Sequence, residues 1–261
     1  MSRFPPPYVP GPRLPVSPAR PPLSRYLARL GYGTRREAER LVATGQVTSA
    51  RGAVLRESDG FSHDDVRVHG VELDPPAGSV VMLHKPVGYV CSTSDRPPLV
   101  YELLPPRFLR REPVMATVGR LDAETSGLLL VTDDGPLNHQ LTSPKWHLPK
   151  CYEVTLATPL RGDEAELFAT GTLLLSGETA PVRPAQLDVL APHRARLTIS
   201  EGRYHQVRRM FAAVGNHVTA LHRAAFGPLQ LHDLAPGSWR VLTTAEVAHL
   251  REALRAAKDA R

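Results

Sequence analysis

The stretch VGRLDAETSGLLLVTDDG, residues 118–135, places a charged loop directly before an apolar strand. Leu128–Val131 is the predicted strand, and the Asp-Asp-Gly turn at 133–135 ends it. The loop carries four polar side chains: Arg120, Asp122, Glu124 and Thr125. A carboxylate two residues after an arginine, held between apolar elements, can serve as a nucleophile or base that the nearby cation keeps ionised. Asp122 is therefore the candidate functional carboxylate, although the pattern alone also fits a structural turn with a surface aspartate.

Short strands and helices surround this stretch without a regular alternation. Strands are predicted at 80–83, at 151–156, where Tyr152 alternates with polar neighbours, and at 196–200. Helices are predicted near 99–104, at 207–214, with His205, Arg208 and Arg209 on the polar stripe, and at 243–258. The absence of a βαβ rhythm predicts an α+β fold with a mixed, mostly antiparallel sheet.

A smaller module precedes these elements. Leu23, Tyr26, Leu27 and Leu30 recur at helical spacing. Thr34 and Glu37 fit a capping box that starts a second helix, which runs to about Ala43. Short strands are predicted at 46–49, 53–55 and 65–68. Two short helices and small strands in fewer than fifty residues predict a compact αβ module.

The chain divides by composition into five segments. Residues 1–22 hold nine of the 26 prolines and no acidic residue, which predicts a disordered or extended tail. Asp74-Pro-Pro-Ala-Gly78 is a turn-rich break, so 71–78 is the predicted flexible linker. The expected division is a tail at 1–22, a small module at 23–70, the linker, a larger domain at 79–245 and a C-terminal helix or tail at 246–261.

Composition excludes several classes of protein. The 261 residues carry 32 Lys+Arg against 26 Asp+Glu, a formal charge of +6, and this modest excess weakly favours a polyanionic partner. No apolar run reaches eighteen residues and the N-terminus lacks the apolar core of a secretory signal, so no membrane association is expected. Two cysteines are too few for a disulfide framework, and the histidines have no metal-ligand spacing.

The segment LSRYLARLGYGTRREAERLVATGQVTSARGAVL, residues 23–55, resembles the S4-like (alpha-L) RNA-binding module of ribosomal and RNA-modifying proteins. It departs from that family at 48–52, where Thr-Ser-Ala-Arg-Gly replaces the usual Asn-Gly turn. The resemblance implies that basic residues of the two helices contact RNA phosphates: Arg25, Arg35, Arg36 and Arg40. Taken alone, the second helix also fits a solvated face whose arginines are offset by Glu37 and Glu39.

The stretch GRLDAETSGLLLVTDDG closely resembles the central motif of pseudouridine synthases, in which the aspartate is essential. The likeness continues in HKPVGYVCST at 84–93, KCYEVTL at 150–156 and EGRYHQVRRMFAAVGNHVTALHR at 201–223. Together with the S4-like module, the string YHQVRRMFAAVGN is most similar to the RsuA branch, which modifies small-subunit ribosomal RNA.

The resemblance implies a set of roles. Asp122 is the catalytic carboxylate, Arg208 is the cation that keeps it deprotonated, and Tyr152 stacks on the uracil or helps to move its proton. Arg120 assists base flipping, and Leu221 packs against the uracil. Phosphate contacts are expected from Lys85, Lys150, Arg203, Arg209 and Arg223, although each is a weak signal by itself. The alternative for Tyr152 and Leu221 is that they are ordinary core residues without contact to the substrate.

Pseudouridine formation breaks one bond to C1′ and makes another without net oxidation, so no cofactor and no metal are expected. The resulting prediction is a monomeric, cytoplasmic enzyme that isomerises a uridine in small-subunit (16S) ribosomal RNA. Two alternatives are a synthase acting on large-subunit (23S) ribosomal RNA and a catalytically silent RNA-binding factor for ribosome assembly. A glycosidase using Asp122 and Glu124 is a remote third.

Overall fold

The computed structural model describes residues 21–96 and 98–259, so the tail predicted at 1–22 lies almost entirely outside the described residues. The helices are α1 Leu23–Arg29, α2 Arg35–Ala43, α3 Gly135–Thr142, α4 Glu164–Thr170, α5 Gln206–Ala213 and α6 Thr244–Asp259. The strands are β1 Val47–Ser49, β2 Val66–Val68, β3 Val71–Glu72, β4 Val80–Lys85, β5 Ala116–Thr117, β6 Thr125–Thr132, β7 Lys150–Leu156, β8 Gln186–Ala191, β9 Arg194–Ile199, β10 Val218–Phe226, β11 Leu229–Gln230 and β12 Trp239–Val241. Short 3-10 helices occupy His63–Asp65, Val100–Leu103 and Pro106–Arg110.

The N-terminal module packs α1 and α2 against the three-stranded sheet β1-β2-β3. The predicted capping box is present: the Thr34 hydroxyl accepts from the Glu37 amide at 3.3 Å, and the Thr34 amide donates to the Glu37 carboxylate at 2.7 Å. The strand predicted at 53–55 is reduced to a single bridge between Thr48 and Val54. Because β3 pairs with β2, the sheet of this module extends two residues into the segment predicted as a linker.

The larger sheet has the order β12-β4-β6-β10-β7-β9-β8, with β5 attached to β6 and β11 attached to β10. Its neighbours pair in antiparallel fashion except β10 and β6, which are parallel. The predicted α+β fold with a mixed, mostly antiparallel sheet is therefore confirmed. One face of the sheet is covered by α5 and the other by α3 and α6.

The central strand β10 was not predicted from the sequence. Its residues VTALHRAAF lack the regular alternation that marks a half-buried strand, because the register with β7 shifts between Val218 and Ala220 and again between Arg223 and Ala225. Gly127 allows β10 to come close to β6: a Cβ at this position would lie 2.3 Å from the backbone oxygen of Arg223. The close pairing brings the loop before β6 next to the side chains of β7 and β10.

The module and the larger domain are in direct contact. Arg107 binds Asp74 through two hydrogen bonds of 2.6 and 3.0 Å, and its guanidinium lies 5.0 Å from the centre of the Tyr32 ring. The Glu112 amide donates to the Arg29 carbonyl at 3.0 Å. These contacts differ from the flexible joint that the sequence predicts, because a bidentate ion pair and a stacked cation hold the junction in one arrangement.

The segment after β3 is also fixed to the larger domain. Arg111 and Asp133 form an ion pair at 3.3 Å whose side chains are 0% and 2% exposed. Arg111 donates to the Pro75 carbonyl, and Asp133 accepts from the Gly78 amide at 2.8 Å. At the other end of the chain, α6 begins at Thr244 and packs on the core through Leu250 and Leu254, so it is part of the larger domain. In residues 21–96 and 98–259, no helix combines the length and apolarity needed to cross a bilayer.

Candidate active site

A cavity of about 480 Å³ opens where the loop before β6 meets β7, β10 and the start of α5. It is lined by the five residues for which the sequence predicted roles in catalysis or uracil binding: Arg120, Asp122, Tyr152, Arg208 and Leu221. The volume suits a small-molecule-sized ligand such as one nucleotide.

The Asp122 carboxylate is half-buried, with 37% of its side chain exposed. Its own backbone carbonyl accepts from the Thr125 amide at 3.0 Å, which closes a turn just before β6 begins. Lys85 reaches this turn from β4 and donates to the carbonyls of Ala123 at 3.3 Å and Thr125 at 2.8 Å. Two elements distant in sequence therefore set the position of the carboxylate.

The predicted contact between Lys85 and RNA phosphate is wrong. Lys85 is fully buried, and its ammonium also donates to the Pro86 carbonyl at 2.9 Å. Burial lowers the pKa of Lys85, and the negative charge of Asp122 acts in the opposite direction. Its three bonds to backbone carbonyls make it a brace for the Asp122 loop and leave it out of reach of RNA.

Asp122 is in contact with His205, whose Nε2 lies 3.3 Å from Oδ1. Arg208, one turn further along α5, instead donates to the carbonyls of Glu124 at 3.2 Å and Val218 at 3.0 Å, and lies 3.6 Å from the Glu124 carboxylate. This differs from the direct pairing of Arg208 with Asp122 that the resemblance implies. The reason is geometric, because the guanidinium donates its hydrogen bonds to backbone carbonyls, one of which lies two residues after Asp122.

The role of His205 was missed by sequence reasoning. It is the residue before α5 and adopts a left-handed backbone with φ of 48°. Its ring stacks on Tyr204 at 3.9 Å with a 15° angle between the rings, and Tyr204 is 72% exposed at the rim of the cavity. One histidine among eleven carries no signal by itself. A strained residue next to a carboxylate is typical of a functional site.

Tyr152 and Leu221 occupy neighbouring places on the sheet. Tyr152 pairs with Arg223 across β7 and β10, while Leu221 pairs with Val154 on one side and Thr125 on the other. Tyr152 is 8% exposed and Leu221 is 5% exposed, yet both line the cavity. Each therefore packs in the core and presents part of its surface to the cavity.

The other cations predicted to bind phosphate form different numbers of hydrogen bonds and ion pairs within the protein. Arg203 donates to the carbonyls of Ala180 and Pro181, and Arg209 binds Glu178 at 2.9 Å and the Ser176 carbonyl at 2.6 Å. Lys150 donates to the Leu148 carbonyl at 3.0 Å and lies against the wall of the cavity. Their phosphate contacts stay predictions.

The arginines predicted to bind RNA through the N-terminal module are all exposed: Arg25, Arg35, Arg36 and Arg40. Of these arginines, Arg35 forms an ion pair with Glu39 at 3.0 Å. Arg120, which lines the cavity, is exposed as well. Among the described residues, no group of three or more histidine, cysteine, aspartate or glutamate side chains is arranged to hold a metal ion.

Comparison with known proteins agrees with this geometry. Residues 79–213 match the family model described as RNA pseudouridylate synthase. The chain is 48% identical over 215 residues to ribosomal small subunit pseudouridine synthase A of Yersinia pestis, covering 81% of this chain and 87% of that protein. It is 52% identical over 173 residues to the protein of that name from Escherichia coli K12, covering 64% and 71%. A crystal structure of a pseudouridylate synthase superposes with a TM-score of 0.62 at 38% identity, covering 88% of this chain and 99% of the other. The chain belongs to the RNA pseudouridylate synthase family.

Proposed function

We propose that this protein converts one uridine of small-subunit ribosomal RNA into pseudouridine, with Asp122 as the essential carboxylate. The observation that carries the proposal is the placement of Asp122 in a nucleotide-sized cavity beside Tyr152 and Leu221. The identity of the RNA is supported by the relatives named as small-subunit enzymes, one of which is aligned over 81% of this chain.

The reaction breaks the bond between C1′ and N1 of the uridine and forms a bond between C1′ and C5. The proton on C5 leaves and N1 gains one, so the product is an isomer of the substrate and no redox partner enters. Attack on the sugar, attack on the base and removal of the 2′ proton are three first steps for Asp122, and each of them requires the ionised carboxylate.

The surrounding side chains have separate tasks in this proposal. Tyr152 stacks on the detached uracil or helps to move the C5 proton, and Leu221 packs against the base. Arg120, exposed at the cavity, stabilises the flipped state of the RNA, which costs a few kcal/mol to reach. Arg208 holds the Glu124 carbonyl, and its buried Nε has no partner among the described residues, so it remains available when substrate binds.

RNA binding is assigned mainly to the S4-like module at 23–70 and its short extension to Glu72, and the chemistry to the domain at 79–245. The exposed arginines 25, 35, 36 and 40 supply phosphate contacts, which position the RNA without reading its sequence. We expect the enzyme to act as a monomer, in the cytoplasm where ribosomal RNA is assembled.

Carbodiimide treatment followed by reverse transcription tests the proposal, because pseudouridine then stops the transcriptase. A strain lacking this gene is complemented with wild type, with Asp122→Asn, or with the matched control Asp95→Asn, which changes an exposed carboxylate of a surface loop. We expect one small-subunit stop that wild type and Asp95→Asn restore and Asp122→Asn does not. A missing stop in large-subunit RNA would reassign the substrate, and unchanged stops would favour an assembly factor.

A further inference from the structure

Two cations of the cavity lie close to the same aromatic ring. Lys150 on β7 and Arg223 on β10 both line the cavity, and each lies over the Phe226 ring, whose centre is 5.5 Å from the ammonium and 5.4 Å from the guanidinium. Among the described residues, neither cation has an aspartate or glutamate within ion-pair distance. Arginine is rarely enclosed unless it is paired.

Arg223 has hydrogen-bonding capacity that the protein does not use. The residue is 3% exposed, its Nε donates to the Leu128 carbonyl at 2.8 Å, and its buried Nη2 has no partner among the described residues. A brace for the β6 backbone needs only the Nε bond. The unused donor and the buried charge together indicate that a ligand completes the site.

Lys150 is the second half of the pair. Its ammonium donates to one backbone carbonyl, that of Leu148. Burial, together with the positive charge of Arg223, lowers the pKa of Lys150 to about 8, and the negative charge of Glu201, which also lines the cavity, offsets only part of this shift. Two cations that destabilise each other in a desolvated cavity are stabilised when an anion enters between them.

We propose that Lys150 and Arg223 form a phosphate-binding subsite that takes the phosphodiester next to the flipped uridine. A uracil carbonyl could accept a hydrogen bond from either residue but would leave both charges uncancelled, whereas a phosphodiester supplies a negative charge and acceptor oxygens. This inference rests on the proposed function for the identity of the ligand.

The position of the subsite matches the geometry of a single bound nucleotide. Arg223 lies directly opposite Tyr152 on the neighbouring strand, and Lys150 precedes Tyr152 by two residues, on the same face of β7. Paired residues of adjacent strands lie about 5 Å apart. Tyr152 and the two cations can therefore hold the base and the backbone of the same nucleotide.

Salt titration of RNA binding tests the subsite with the full-length chain. Lys150→Met is compared with wild type and with Lys145→Met, an exposed lysine of the same segment that does not line the cavity. For a small-subunit RNA transcript, we expect Lys150→Met to weaken binding about tenfold and to reduce the slope of log K against log salt by about 1. Lys145→Met should change neither quantity comparably. An unchanged slope in Lys150→Met overturns the subsite, since a purely structural lysine leaves counterion release intact.

Inorganic phosphate separates failure of this inference from failure of the proposed function, because the measurement needs no RNA. At constant ionic strength, phosphate in place of chloride should raise the Tm of wild type and Lys145→Met more than that of Lys150→Met, which responds only to the general exclusion of phosphate from protein surfaces. An equal rise in wild type and Lys150→Met overturns the subsite. If phosphate binds as expected but wild type leaves small-subunit RNA unmodified, only the proposed substrate is wrong.

Discussion

Replacing Lys85 with methionine should separate the position of Asp122 from its chemistry. Lys85 is fully buried and does not line the cavity, but its ammonium holds the carbonyls of Ala123 and Thr125 on the loop that carries Asp122. Methionine has nearly the same length and fills the space without donating a hydrogen bond. The substitution therefore releases the loop and removes one positive charge near Asp122, while the Asp122 side chain itself is unchanged.

The size of the effect follows from the bonds that are lost. Each buried carbonyl left without a donor costs about 1–3 kcal/mol, and methionine recovers part of this because it removes the desolvation cost of the ammonium. We expect the free energy of unfolding to fall by about 2–4 kcal/mol. A displacement of about 1 Å at the carboxylate lowers the rate about 100-fold.

Urea unfolding and single-turnover conversion of RNA measure the two effects separately. The rate is taken at saturating RNA and at a temperature at which the variant is folded, so that a loss in kcat with a nearly unchanged Kd identifies a positioning role. Lys145→Met, an exposed change, should match wild type in both assays. If Lys85→Met converts RNA within twofold of the wild-type rate, the loop does not depend on this brace and the reasoning is refuted.

Three further predictions concern the charged groups around the cavity and the module junction. In His205→Asn, the asparagine tolerates the left-handed backbone, but its side chain is too short to reach Asp122. The single-turnover rate should therefore fall about tenfold with little change in Tm, and an unchanged rate would show that the 3.3 Å contact has no role in turnover. Asp133→Ala leaves the buried Arg111 uncompensated and should lower the free energy of unfolding by about 3–5 kcal/mol in urea, and a loss below about 1 kcal/mol would contradict this. The pKa of Lys150 is about 8 in the folded protein and about 10.4 when unfolded, so the unfolded chain binds more protons between these two pH values. The free energy of unfolding should therefore rise with pH by up to about 3 kcal/mol in this range. In urea titrations from pH 7 to 10.5, Lys150→Met should lack this increment, and a pH dependence identical to wild type would be inconsistent with a desolvated ammonium.

Local patterns predicted those parts of the fold whose causes are local. The capping box at Thr34, the strand after Asp122 and the helix α5 each follow from residues a few positions apart, and the structure contains all three. The central strand β10 was not predicted because two shifts in its register with β7 interrupt the alternation that reveals a strand. The resemblance of the motifs grouped Asp122, Tyr152 and Leu221 in one site. In the structure all three line one cavity, because they lie on or next to the paired strands β6, β7 and β10.

The contacts of Lys85 and His205 could not be predicted in the same way. The ammonium of Lys85 bonds carbonyls 38 and 40 residues away, and no pattern around Lys85 distinguishes such a brace from a lysine that faces phosphate. His205 reaches Asp122 only because the backbone before α5 turns into the left-handed region. Both contacts depend on tertiary geometry, which charge and spacing along the chain do not record.

Two cations, Lys85 and Arg208, hold the backbone of the loop that carries Asp122, and among the described residues neither forms a hydrogen bond or ion pair with its carboxylate. Lys85 holds the carbonyls of Ala123 and Thr125, and Arg208 holds the carbonyl of Glu124 between them. Three consecutive carbonyls are thus held by two positive charges from two elements distant in sequence, β4 and α5. In the proposed reaction the Asp122 carboxylate has to reach the substrate, and a bidentate ion pair would occupy both of its oxygens. Because the cations bind the adjacent backbone, the carboxylate of Asp122 is left accessible to the substrate and to His205.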